Sequence, residues 1–550
     1  MSAAQRASEP PDDPSEDRHA SDGPDGGDGH HLDAGQLGLG DMDADAFRRH
    51  GHQVIEWIAS YLEGVEDLPV KSRVEPGEVR GRLPASPPRE PQPFADALRE
   101  LDEVLLPGMT HWNHPSFHAY FAITGSGPGI LGEALTAAMN VNGMLWSTSP
   151  AATELEELAL DWLRQLLGFD DGWSGIISDT ASMSTMLALA AAREASGLDV
   201  RQRGLAGRPD VPMLRVYTSE HAHSSVEKAA ISLGLGRDSV RTIDVDERYR
   251  LRPDVLAEAL REDVRFGYRP MAIVATVGTT STTSIDPVTA IADVRDELVD
   301  ELGHDVWLHV DGAYGGMLGL CEEFRGYLAG VERADSFVTN PHKWLFTPID
   351  CSALFLRDPV ALTSAFALVP EYLTTDDEGV TDYMDWGVQL GRRFRALKLW
   401  LVLRYFGADG LAARLREHVA QAQRVAAWMT EHPDLVVVAP VPMSTVCFAA
   451  DPSWLDVDDP DPGDPVDADA DDAEQDALDR RGVARDELNR ELLRRINASG
   501  EAFLSHTVLD DRYVLRLATG NLRTTDEHLQ ATFALIEREL DALRGSNGDR

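Results

Sequence analysis

The chain is short of lysine, of cysteine and of long apolar runs. Of its 50 basic residues only four are lysines: Lys71, Lys228, Lys343 and Lys398. Set against 93 acidic residues, this leaves a formal charge of −43 over 550 residues. A field of that sign opposes binding to nucleic acid or to an anionic membrane. It keeps a chain dispersed where salt screens its self-repulsion, which points to a halophilic, high-salt cytoplasm. The three cysteines, Cys321, Cys351 and Cys447, form no C-x-x-C pair. So sparse and odd-numbered a set points to reduced thiols in a cytosol. No run of about 18 apolar residues occurs, so no transmembrane helix is expected. The first residues have neither the basic nor the apolar region of a signal peptide.

What is present falls into segments of different character. Residues 1–42 are rich in Asp, Gly, Pro, Ser and His and predict a disordered acidic tail. From Asp43 apolar residues recur at helical steps (Phe47, Val54, Ile55, Ile58, Leu62). A Pro-rich linker over 83–93 and a second helix over 94–105 complete an N-terminal helical segment, 43–109. Residues 110–404 then alternate short buried strands with helices: strands at 175–178, 214–218, 240–245, 271–277, 307–310, 336–339 and 352–356. That rhythm predicts an α/β domain with a mostly parallel sheet covered on both faces. A smaller α+β domain follows over 405–545, with strands at 435–438, 444–449, 502–507 and 513–518. It is interrupted by an acidic low-complexity insertion at 455–480, expected to be a disordered surface loop. Its carboxylates lack the spacing of a calcium loop, and no metal site is expected.

The stretch 336–356, SFVTNPHKWLFTPIDCSALFL, keeps one of the four lysines. Lys343 is either a solvated surface lysine or an amine used for its chemistry. Lysine condenses with an aldehyde to give a Schiff base, which arginine cannot do. Three other features bear on the choice. The turn 178–182, SDTAS, runs from a strand into a helix N-terminus, where free N–H groups and the helix dipole favour an anion, with the hydroxyls of Thr180 and Ser182 as further donors. Asp311 ends the buried strand WLHV, at the edge where α/β sheets bind ligands, and a carboxylate buried there calls for a cation. His223 and His342 are both candidates to stack on an aromatic ring. Aldehyde, phosphate and a protonated ring nitrogen together describe pyridoxal 5′-phosphate, whose electron sink depends on such a carboxylate. The aromatic run at 111–121 (Trp112, Phe117, Tyr120, Phe121) reads either as core or as the wall of an apolar pocket.

The ordered patches THWNHP (110–115), SPAATELE (149–156), AHSSVEKA (222–229), ATVGTT (275–280), WLHVDGAY (307–314), ADSFVTNPHKW (334–344), DCSALF (350–355) and LGRRFRALKLW (390–400) carry a resemblance. The chain resembles the group II, pyridoxal-phosphate-dependent amino-acid decarboxylases, nearest to the aromatic-L-amino-acid decarboxylases. The resemblance implies the aminotransferase-like fold type I and a homodimer with its active sites at the interface. It implies that Lys343 holds the cofactor as a Schiff base, that Asp311 pairs with the pyridine nitrogen and that His223 stacks on the ring. By the same resemblance Ala181, Ser182, Asn340 and His342 lie at the phosphate, and Thr276 and Ala313 line the ring. Tyr372 matches the tyrosine of a mobile loop that returns a proton after carbon dioxide leaves. Relatives that make aldehydes carry phenylalanine there, so Tyr372 favours simple decarboxylation.

Two departures loosen the substrate. Ile123 stands where close relatives have a threonine, and the phosphate turn reads ASMS in place of ASEA. The expected reaction is decarboxylation of an L-amino acid, aromatic on the strength of the 111–121 run. Decarboxylation of glutamate or aspartate, oxidative decarboxylation to an aldehyde, and a non-catalytic homologue are the alternatives.

Overall fold

Strands Arg269–Thr276 and Trp307–Asp311 are buried almost throughout, so neither shows a face to water, and both lie inside the sheet. The computed structural model describes residues 32–368, 379–455 and 470–547. Seven strands make the main sheet: β1 (Ser174–Ser178), β2 (Leu214–Ser219), β3 (Val240–Ile243), β4 (Arg269–Thr276), β5 (Trp307–Asp311), β6 (Ser336–Thr339) and β7 (Ser352–Leu356). Their order is β1-β7-β6-β5-β4-β2-β3. Only β7 runs against the others, pairing antiparallel with both β1 and β6. The C-terminal ends of β1, β4, β5 and β6 therefore open on one edge of the sheet, as expected for a ligand-binding α/β domain.

Helices cover the sheet for legible reasons. The helix Pro150–Leu167 starts on proline and ends at Gly168, whose φ of +80° suits a residue without Cβ. Leu160, Leu163 and Leu167 recur on its buried side. A smaller four-stranded antiparallel sheet holds β8 (Leu435–Val437), β9 (Thr445–Ala450), β10 (Ser505–Leu509) and β11 (Arg512–Ala518) in the order β10-β11-β9-β8. The eleven strands of the two sheets among the described residues lie where the sequence predicts them, to within about three residues at each end.

The unit boundaries differ from the sequence expectation. One compact unit comprises the described residues through Tyr61 with Val74–Gly108; the other comprises Leu62–Arg73 and the described residues from Met109 onward. The two sheets thus share one compact unit, and no division falls at residue 404. Helix Ala44–Gly64 leaves Phe47 and Ile55 exposed. Two expectations of disorder are corrected in part. Residues 32–42, assigned to the tail, include the helix Ala34–Leu37, and buried Asp33 is held by Arg49 (2.8 Å) and His50 (2.8 Å). Helix Ala470–Ser499 begins inside the expected loop 455–480, because the acidic text gives way to helix formers before residue 480. The remainder of the tail and of the insertion lies outside the described residues.

Candidate active site

β6 delivers Lys343. After Thr339 the chain turns at Asn340 into a single helical turn, Pro341–Trp344. The Asn340 amide donates to Ala313 O (3.1 Å) and the Lys343 amide to Asn340 O (2.9 Å). The lysine's turn is thereby tied to the segment that follows Asp311. Burial pushes the Lys343 pKa down, with Asp311 opposing. Burial thus shifts the balance toward the free amine, the nucleophilic form, relative to an exposed lysine.

Asp311 ends β5, is buried, and accepts from Ala313 N (3.0 Å) through Oδ1. Its register partner on β4 is Thr276. Thr276 Oγ1 is buried without a hydrogen-bond partner among the described residues, as is Asn340 Oδ1. His223 is half-buried, accepts from Ser225 N (3.1 Å) and has its pKa lowered by burial, with Asp311 again opposing. His342 accepts from Cys351 N (2.9 Å) through Nδ1, and burial lowers its pKa to about 4. The neutral ring therefore carries its proton on Nε2, 3.4 Å from the Asn340 side-chain amide.

At the end of β1, Thr180 caps the helix Ala181–Ala195. Its hydroxyl accepts from Met183 N (3.4 Å) and donates to Asp179 Oδ1 (3.1 Å), so it is not free to serve an anion, contrary to the sequence expectation. Ala181 and Ser182 open the helix, where amides have no intrahelical acceptor, and Ser182 is exposed.

The four aromatic residues separate into two clusters. Phe121 belongs with the lysine: Lys343 Nζ lies 5.5 Å from its ring centroid, and Tyr314 stacks on it at 3.8 Å. Phe117 is wholly buried against Trp112 (4.4 Å) and Phe503 (5.6 Å), a core position and not a pocket wall. Tyr120 is half-exposed and stacks on Trp112 at 5.9 Å. Thr124, the threonine next to Ile123, is buried, and its hydroxyl accepts from Leu522 N (3.3 Å). Tyr372 lies outside the described residues.

Three residues that the sequence reading passed over belong to this region. Tyr314 stacks between Phe121 and Trp344. Arg516 is buried on β11, with its guanidinium carbon 5.5 Å from the Phe121 centroid and no carboxylate in ion-pair range among the described residues. It donates to Ser281 O (2.6 Å) and Ser505 Oγ (3.1 Å), while Nη2 is buried without a partner. Asp286 accepts from Thr276 N (2.7 Å). A lone charge in the apolar strand text YVLRLA was the available signal for Arg516, and an acid between Ile285 and Pro287 the signal for Asp286.

A profile of the pyridoxal-dependent decarboxylase conserved domain matches residues 76–451. The chain belongs to this family. As a pyridoxal-dependent decarboxylase it is 38% identical over 523 residues to tyrosine decarboxylase 3 of Petroselinum crispum, covering 93% of this chain and 95% of the relative. It is 37% identical to a phenylacetaldehyde synthase of a Rosa hybrid cultivar, covering 91% and 95%. Among solved structures, the Catharanthus roseus tryptophan decarboxylase in complex with L-tryptophan superposes with a TM-score of 0.79 at 35% identity, covering 91% of this chain and 99% of that one. The family's pyridoxal cofactor fits the groups found here. Among the described residues the site holds a lysine whose burial lowers its pKa, a buried carboxylate in no ion pair, unpartnered buried oxygens on Thr276 and Asn340, and open helix amides at Ala181 and Ser182.

Proposed function

We propose that this pyridoxal-dependent decarboxylase removes the carboxylate of an aromatic L-amino acid and releases the amine. The observation that carries the substrate class is the Phe121 ring 5.5 Å from Lys343 Nζ, backed by Tyr314. A flat side chain entering beside the lysine meets aromatic surface there. Relatives named for tyrosine and tryptophan support the same class.

Pyridoxal phosphate, when bound, supplies an electron sink for the pair left behind as carbon dioxide departs. In this reading Lys343 holds the cofactor's aldehyde carbon and Asp311 keeps the ring nitrogen protonated. His223, Thr276 and Ala313 would hold the ring. Ala181, Ser182, Asn340 and the Nε2–H of His342 take the phosphate. Arg516, a buried cation with a free Nη2, attracts the substrate carboxylate. Tyr372 Oη returns a proton to Cα. A panel of amino acids assayed for amine and carbon dioxide tests the reading. Phenylethylamine-type products from aromatic substrates support it; turnover of acidic amino acids alone overturns the substrate class. Aldehyde, ammonia and peroxide, formed with consumption of oxygen and water, would identify an aldehyde synthase like the rose relative.

We also infer a homodimer in a high-salt cytoplasm. Leu131, Leu135 and Met139 lie on one side of helix Gly127–Met139, each about half-exposed, and a second copy would cover them. No helix among the described residues is long and apolar enough to cross a membrane. Light scattering over a range of salt concentrations tests the assembly, and a monomer throughout overturns it.

A further inference from the structure

Asp286 is a buried carboxylate with no lysine or arginine in ion-pair range among the described residues. A charge in that position is costly unless hydrogen bonds hold it. Two do: Oδ2 accepts from Thr276 N (2.7 Å) and Oδ1 from Leu251 N (2.8 Å). The Asp286 amide donates in turn to Thr276 O (2.9 Å). Between them the chain folds back on itself, with the amides of Gly278 and Thr279 both donating to Ser284 O. Asp286 therefore clamps the last residue of β4 from both sides of its peptide.

Thr276 is also the register partner of Asp311, and Val277 N donates to Asp311 O (2.9 Å). The buried hydroxyl of Thr276 has no partner of its own among the described residues. One strand position thus separates Asp286 from the carboxylate assigned to the ring nitrogen. We propose that Asp286 is a positioning residue for the cofactor: by clamping Thr276 it fixes the Thr276–Asp311 edge against which the pyridine ring seats.

Asp286 also lines a cavity of about 550 Å³ with Arg248, Arg250, Asp293, Tyr327 and Pro442. The charged groups that face it are Asp246 and Arg250 from the turn before Leu251, Arg248 at the same cavity, and Asp293 on helix Val288–Leu302. Burial pushes its pKa up to about 6; the two amide bonds oppose this, Asp246 adds to it and Arg250 opposes. Protonation turns one acceptor oxygen into a hydroxyl and weakens one of the two amide bonds. The clamp is therefore complete above that pH and loosened below it.

The experiment titrates cofactor-free wild type and Asp286→Asn with pyridoxal phosphate from about pH 5 to about pH 8, beside thermal midpoints of the cofactor-free proteins. Asparagine keeps the shape but presents an NH₂ group to one of the two N–H donors. At the upper pH the variant should bind the cofactor about tenfold more weakly, with a cofactor-free thermal midpoint no lower than wild type. Its ratio to wild type should approach one at the acid end. Equal affinities at every pH overturn the proposal. So does weaker binding matched by a lower cofactor-free midpoint, which would mark Asp286 as a purely structural residue. If the variant does not fold, amide exchange in the wild type decides. Protection of Thr276 N–H that falls below about pH 6 supports the clamp, and unchanged protection overturns it. Neither result touches the reaction class, which is read from amine release by the wild type.

Discussion

Tyr314 lies flat on Trp344, with ring centroids 4.4 Å apart and planes 2° from parallel. Phe121 stacks on the Tyr314 ring at 3.8 Å, and Lys343 Nζ stands 5.5 Å from Phe121. Trp344 follows Lys343 in the chain, and its indole N–H donates to His418 Nδ1 (3.0 Å). Three rings and a buried histidine thus hold the turn from which the lysine extends.

Tyr314→Ala should lower stability by about 3–5 kcal/mol, because it empties a buried ring position, and weaken cofactor binding with it. Tyr314→Phe loses only the hydroxyl bond to Ser444, costs about 1 kcal/mol and keeps the cofactor. Urea titration and cofactor absorbance read the two effects separately.

The Lys343 amine should deprotonate below the ordinary lysine value of about 10.4, since burial disfavours its cation. Asp311 opposes that shift, so Asp311→Asn should lower the value further. The pH dependence of reductive methylation at Lys343, read by peptide mass in cofactor-free protein, measures both. Lys343→Ala should cut turnover by at least about 10³-fold.

Asp286 gives stability a pH slope of known sign. Its folded pKa, about 6, lies above the carboxylate range of the unfolded chain, so folding takes up a proton between them. The associated stability is complete below about pH 4 and is lost as pH rises through about 6. Across that window wild type should lose stability relative to Asp286→Asn, by up to about 3 kcal/mol. A parallel pair of stability curves would refute the assignment.

Tyr372→Phe should move products from amine toward aldehyde, if the hydroxyl returns the proton to Cα as proposed. Chromatography of the products with a peroxide assay measures the ratio. An unchanged amine yield would reassign the proton donor.

The charge of −43 predicts a thermal midpoint that rises steeply with salt, because like charges repel over a Debye length of about 10 Å at 0.1 M and about 3 Å at 1 M. A midpoint independent of salt would remove the halophilic reading.

Much of the site is legible in the sequence alone. Lys343 and Asp311 stood out because lysine is scarce here and because an acid ending an apolar strand needs a reason to be buried. The strands were legible because β-branched, apolar runs between helices fit a covered parallel sheet. Trp112, Phe117 and Phe121 were not separable by residue type, since neighbouring aromatic residues on one segment can face different cavities. Thr180 read as an anion donor, yet its hydroxyl caps its own helix and binds Asp179, a competition set by local backbone geometry.

The sequence by itself determined the family, the cofactor chemistry and the order of strands and helices, because these rest on residue types and on spacing along the chain. Tertiary structure decided which groups meet. Arg516 reaches Phe121 from β11, and Asp286 reaches Thr276 across a loop that doubles back. The single reversed strand β7 leaves the C-terminal ends of β1, β4, β5 and β6 on the same edge. Such contacts depend on strand order and register, which arise from packing the whole sheet and not from any one stretch of residues.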